Sequence, residues 1–244
     1  MFYHCDNLNT LFVDKNNSTF YADETGLYSK DMTTLYYAVP TSNTTLVLPD
    51  NLTTISDGAF KGNKNLSSIK FPKSLKQIGD EAFEFCYGLT EISIPDNVKV
   101  GRMAFSNCVN VSTITIGSGC TLGTNCFAQN QMSAKPYNYS TLESVTINGK
   151  MTIAGYAVFY GCVNLNAIKY NSAEAPVLDE ELIGNNNPWS SLTATYAVGY
   201  NNHTAGSNMF YVPSNATYSE TEIEGANSTL FNTDKCGFTL SKSL

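Results

Sequence analysis

Seven cysteines and two histidines carry most of the reactive potential of this chain. A thiolate can serve as nucleophile, metal ligand or disulfide partner. Seven is odd, so disulfides cannot pair every cysteine within one chain. No two cysteines show Cys-x-x-Cys spacing, and zinc needs four good ligands. His4 and His203 leave little for acid/base work near neutral pH. A Cys–His dyad through His203 is conceivable, yet nothing in the chain singles that histidine out. The run Asp14-Lys15-Asn16-Asn17-Ser18 begins like a calcium loop. Such a loop needs Gly at its sixth position and Glu at its twelfth. Thr19 and Thr25 stand there instead, so the run reads as a polar turn. Gly117-Ser118-Gly119 lacks the third glycine and long helix of a dinucleotide site. There is no Gly-x-Ser-x-Gly elbow and no His-Glu-x-x-His. The chemistry-bearing residues therefore point to no enzyme, no metal and no cofactor.

The elements that hold these residues set the context. Of 244 residues, 42% are hydrophobic, enough for a core, and only 14% are charged. The net charge of −7 argues against nucleic acid, which selects a basic face. No run approaches the length of a transmembrane helix. Met1–Lys30 carries acidic residues where a signal peptide would be basic and then apolar. The expectation is an intracellular chain or a mature fragment whose signal has been removed.

A repeat organises the middle of the chain. Leu75-x-x-Ile78-Gly79-x-x-Ala82-Phe83-x-x-Cys86-x-x-Leu89-x-x-Ile92-x-Ile94-Pro95 recurs before and after itself. Its anchors Leu46, Ile69, Ile92, Ile114, Val145 and Ile168 follow at steps of 23, 23, 22, 31 and 23 residues. A Leu-x-x-Leu-x-Leu core at this period indicates a leucine-rich-repeat solenoid. The alternating stretch predicts a short strand with one buried face. The Ala-Phe pair predicts a short helix or 3-10 turn on the opposite wall. The expected fold class is therefore an α/β, right-handed leucine-rich-repeat solenoid with parallel strands and β-rich caps. Residues 1–43 form an N-terminal hairpin cap, 44–170 about five to six coils, and 171–244 a C-terminal cap.

Residues 78–95 match the repeat of the BspA-like leucine-rich repeat family at nearly every position, and the chain resembles that family most specifically over 44–170. Residues 12–37 resemble the hairpin unit that interrupts such arrays, and Tyr211-Val212-Pro213 resembles the strand of their terminal unit. The resemblance implies a secreted or cell-surface protein that binds a protein or glycan ligand in adhesion or host interaction. It implies no catalytic residues. The alternative is a structural spacer within a larger surface protein. The fourth repeat departs from the pattern: Cys126 replaces Ala, Asn130 replaces Cys, and extra residues follow.

Cys86, Cys108 and Cys162 occupy one repeat column and are expected as buried thiols filling the core. Cys120 and Cys126 are close enough in sequence to pair instead. Cys5 and Cys236 stay unassigned. Two binding candidates follow from the solenoid. The outward strand residues form columns across the sheet, with Ser68, Glu91, Thr113 and Ser144 in one and Lys70, Ser93, Thr115, Thr146 and Lys169 in the other. Concave solenoid sheets commonly bind ligands. The insertion in the fourth repeat, with Lys135, Tyr137 and Tyr139, is the second candidate, set against a neutral insertion.

Overall fold

The computed structural model describes residues 8, 10–40, 45–129, 140–162, 164–178, 208–218 and 238–242. Near the N-terminus, the Asn17 side-chain oxygen accepts from the Thr19 and Phe20 N–H groups, both at 2.8 Å. This turn launches β1 (Phe20–Ala22), which pairs antiparallel with β2 (Gly26–Ser29). In turn β2 pairs with β3 (Thr34–Ala38) across a bulge. From here every described pairing is parallel, as a solenoid requires.

Each coil contributes to three walls. The first is built from the Leu-x-x-Ile-x-Ile stretches. These are β4 (Thr45–Val47), β6 (Ser68–Lys70), β8 (Glu91–Ile94), β10 (Thr113–Ile116), β12 (Ser144–Ile147) and β14 (Ala167–Tyr170). Two further strands extend it, β16 (Asn208–Val212) and β17 (Phe238–Lys242). Anchors pair with anchors: Leu46 with Ile69, Ile92 with Ile114, Ile114 with Val145, Val145 with Ile168. Pairing in one register keeps the paired anchors on the inner face, because a one-residue slip would turn them to solvent. β6 and β8 are not paired, so this wall is a two-stranded sheet followed by a six-stranded one.

The second wall is made of two-residue strands: β5 (Thr54–Ile55), β7 (Gln77–Ile78), β9 (Lys99–Val100), β11 (Thr121–Leu122), β13 (Thr152–Ile153) and β15 (Val177–Leu178). Together with the hairpin they form one nine-stranded sheet, joined where β3 pairs in parallel with β5. The inward residue of each is buried from Ile55 to Ile153.

The third wall carries the Ala-Phe pairs, and here the expected helical or 3-10 turn gives way to something else. No helix of either kind occurs among the described residues. The N–H groups alternate in direction. Ala59, Lys61 and Asn63 donate within their own coil, to Ser56, Gly58 and Phe60. Gly58, Phe60 and Gly62 donate to Asp80, Ala82 and Glu84 of the next coil. Phe83 and Phe105 do the same toward Ala104 and Cys126. Left-handed backbone two residues before each repeat phenylalanine makes this possible: Gly58, Glu81, Met103, Asn125 and Ala157 all have positive φ. A helix would send every N–H back along its own turn. The apolar spacing of a helix is present, but the wall is a ladder of stacked turns.

Between the walls lies one continuous core. Its spine is the row Phe60, Phe83, Phe105, Phe127 and Phe159, stacked at centroid distances of 4.5, 4.9, 5.5 and 5.5 Å. The fourth coil keeps its place in this row despite its unusual sequence.

Candidate functional site

The outward columns of the first wall are where the sequence places them. Thr113 pairs with Glu91 and Ser144, and Thr115 with Ser93 and Thr146. Lys169 follows Thr146, and Ser68 and Lys70 pair with Thr45 and Val47 at the other end. Lys70, Glu91, Ser93, Thr113 and Lys169 are exposed, whereas Ser68, Thr115, Ser144 and Thr146 are half-buried. The pleat explains their orientation: the alternate residues Ile92, Ile94, Ile114 and Ile116 are buried.

Two more strands widen this face. Met209 pairs with Ala167 and Tyr211 with Lys169, and Thr239 and Ser241 come next. The columns thus gain a thioether and an aromatic ring, both half-buried, beside Lys169. The signal for this was present in Phe210-x-Val212-Pro213, which repeats the Ile-x-Ile-Pro template. Ala216 N–H closes the same turn onto Pro213 O that Leu75 N–H closes onto Pro72 O.

Lys135, Tyr137 and Tyr139 lie outside the described residues, as do His4, His203, Cys5 and Cys236.

The cysteines form a thiol ladder. Cys86 donates to Phe60 O and Cys108 to Phe83 O, both at 3.1 Å, and Cys162 donates to Phe127 O at 3.4 Å. Each thiol thus caps the carbonyl of the phenylalanine one described coil earlier. In the first coil Asn63 fills the column and its side-chain oxygen instead accepts from Asn65 and Leu66 N–H. Cys120 and Cys126 are free as well, and Cys120 donates to Pro95 O at 3.1 Å. They do not pair. Burial pushes the Cys108 and Cys162 thiols up to about 12 and raises Cys86, Cys120 and Cys126 too. A thiol held protonated and out of solvent is a poor nucleophile. A thiol-reactive reagent should therefore leave these five native cysteines unmodified and label them only once denaturant unfolds the chain. Rapid native labelling at Cys108, read by peptide mass spectrometry, would contradict the ladder.

Charged side chains neutralise one another on the turn wall. Lys61 Nζ sits 2.7 Å from Glu81 and 2.6 Å from the buried Glu84 carboxylate. Arg102 reaches Glu81 from the following coil at 2.5 Å. The Lys61 hydrogen bond, followed by that from Arg102, holds the Glu81 carboxyl below its usual range. These groups staple coils together and leave no poised base. No cluster of metal-ligating side chains occurs among the described residues.

The profile of the BspA-type leucine-rich repeat region matches residues 34–135 and 130–224, in six copies. The chain belongs to that family. Among solved structures, this BspA-type chain is similar to a leucine-rich repeat protein from Eubacterium ventriosum, with 26% identity and a TM-score of 0.61. That likeness covers 70% of this chain and 44% of the other. The pneumococcal vaccine antigen PcpA shares the fold at 18% identity and a TM-score of 0.60, over 95% of this chain and 50% of that one. The chain spans about half the length of these solved relatives. No curated protein matches the sequence.

Proposed function

We propose that this chain is a non-catalytic recognition module, secreted or displayed at a cell surface, that binds a protein or glycan ligand through the outward face of its first wall. One observation carries this reading. In-register strands from β8 to β16 present a largely polar outward face that no other described strand pairs across, with Met209 and Tyr211 beside Ala167 and Lys169. Membership of a family associated with surface proteins supports the location. Aromatic side chains concentrate binding energy at interfaces, so Tyr211 is the strongest single anchor on this face.

The spacer reading has one observation in its favour. Thr113, Thr115, Ser144 and Thr146, at the centre of the face, are small and neutral. The two readings separate on one experiment. The protein is screened against immobilised host matrix proteins and glycans, and any binder is tested with Tyr211→Ala and the double variant Lys70→Ala/Glu91→Ala. Recognition through this face predicts a loss of about tenfold or more for Tyr211→Ala. A ligand that binds all these variants like wild type removes the face from consideration, and a screen without any binder favours the spacer.

A further inference from the structure

Exposed apolar side chains gather at the N-terminal end. Phe12, Phe20 and Tyr36 lie together there, with Phe12 89% and Tyr36 41% exposed. The arm carrying Phe12, the hairpin, and the turns of the first two coils meet there around a groove of 980 Å³. Concentrated apolar surface of this kind marks a binding site more often than chance exposure does.

Two aromatic corners line the groove from different elements. Phe20 meets Tyr36 edge-to-face on the hairpin, with centroids 5.6 Å apart. Phe85 meets Tyr87 in the same way on the second coil, at 6.2 Å. Phe85 is held at φ 62°, in the left-handed region. The other left-handed residues of its column, two positions after the repeat phenylalanine, are Gly62, Asn107 and Gly161. Those are the residue types that adopt this backbone at least cost. A bulky aromatic there is strained. The core does not repay the strain, because Phe85 is half-buried and stands outside the core cluster. Its ring contacts are Tyr87 and the Lys61 ammonium, 5.9 Å from the centroid. The turn ladder uses this backbone conformation, with Phe85 N–H donating to Ser106 O, but it does not call for an aromatic side chain. Strain accepted for the ring points to function.

The groove also indicates what it would hold. The N–H groups of residues 58 to 63 on its floor all donate within the turn ladder, so none is left to pair with an extended peptide. The floor therefore offers ring faces, side-chain tips and carbonyl oxygens rather than main-chain donors. The charges around the groove offset one another: Lys61 and Arg102 together balance Glu81 and Glu84, which leaves Asp57 and Lys64 on the lining with opposite signs. A neutral groove on a chain of net charge −7 suits a neutral ligand. Flat rings with polar rims are complementary to the C–H faces and hydroxyls of sugars.

We infer that this groove binds a neutral oligosaccharide, stacked between the Tyr36 and Phe85 rings. This goes beyond the strand-face reading and uses a different wall. The test is calorimetric titration of the full chain with maltohexaose, cellohexaose and N-acetylchitohexaose. At least one should bind saturably, and Tyr36→Ala and Phe85→Asn should each weaken it about tenfold. Phe85→Asn, which copies the third coil, should also melt no lower than wild type. That combination separates a binding ring from a structural one. The inference is overturned if none of the three saccharides binds up to roughly 10 mM, or if Phe85→Asn binds normally or melts lower. It is equally overturned if a proline-rich peptide or a second copy of the chain occupies the groove. Tyr211→Ala should leave saccharide binding unchanged, so this idea and the strand-face reading can fail independently.

Discussion

Replacing Phe83 by alanine should cost about 3–5 kcal/mol of folding stability, measured by denaturant melts. Phe83 is fully buried and sits in the second of the five rings in the phenylalanine row. It stacks on Phe60 at 4.5 Å with an interplanar angle of 11°, and on Phe105 at 4.9 Å with 6°. Phe71 meets it edge-on at 5.7 Å from the first wall. Its backbone is engaged as fully as its ring. Its N–H donates to Ala104 O, and its carbonyl accepts from the Cys108 thiol. Both hydrogen bonds survive truncation, so the loss reports the ring alone. The neighbouring coils are tied to this one along the second wall and the turn wall, and toward β10 along the first wall as well. They resist collapse into the void, which places the cost toward the upper part of the range. Phe83→Leu fills most of that volume and should cost markedly less. A loss below about 1 kcal/mol for Phe83→Ala would contradict the packing.

The row of phenylalanines was legible in the sequence because one residue type returned at one spacing. The same holds for the cysteine column and for the pairing of Thr113 with Ser144 on the outward face, where the strand period of two leaves one choice of register. The turn wall was not legible in this way. Its apolar positions carry a helix-like spacing, and the residues that take the left-handed conformation there are of mixed type: Gly58, Glu81, Met103, Asn125 and Ala157. Without a glycine column there is no local signal. The second wall was hidden because two-residue strands such as Gln77–Ile78 are too short to show a period. Met209 and Tyr211 escaped assignment to the face for another reason. Phe210 follows its partner Ile168 by far more than one repeat length, so the register becomes visible only when the strands are paired. Phe85 carried a signal that only a comparison of columns can reveal, an aromatic where the neighbouring coils use Gly62 and Asn107.

Gly155→Ala should be among the most damaging single-methyl changes available to this chain, at about 3 kcal/mol or more, while Gly62→Ala should cost only about 1 kcal/mol. The two glycines do different work. Gly62 has φ +77° and nothing within 4 Å of where an alanine methyl group would sit, so alanine there meets backbone strain and no collision. Asparagine tolerates that conformation, as Asn107 shows, and Gly62→Asn should recover most of the loss. Gly155 lies where coil four and coil five touch. A methyl group on it would run into Thr124 N and stand 2.5 Å from the carbonyl carbon of Gly123. Both obstacles are backbone and neither can swing aside. Relief would require separating coils joined by Ala154 N–H to Leu122 O at 2.9 Å and Asn125 N–H to Tyr156 O at 3.0 Å. Asparagine cannot rescue this site, because the difficulty is space and not torsion. Gly79 and Gly101 meet the preceding coil in the same way, at 2.6 and 2.7 Å from backbone nitrogens. Coils four and five are therefore packed as closely as the earlier ones, although Val145 follows Ile114 by 31 residues. A cost below about 1 kcal/mol for Gly155→Ala in denaturant melts would mean that the stack loosens at the insertion. A large cost, not relieved in Gly155→Asn, would mean that the extra residues leave the solenoid without disturbing it.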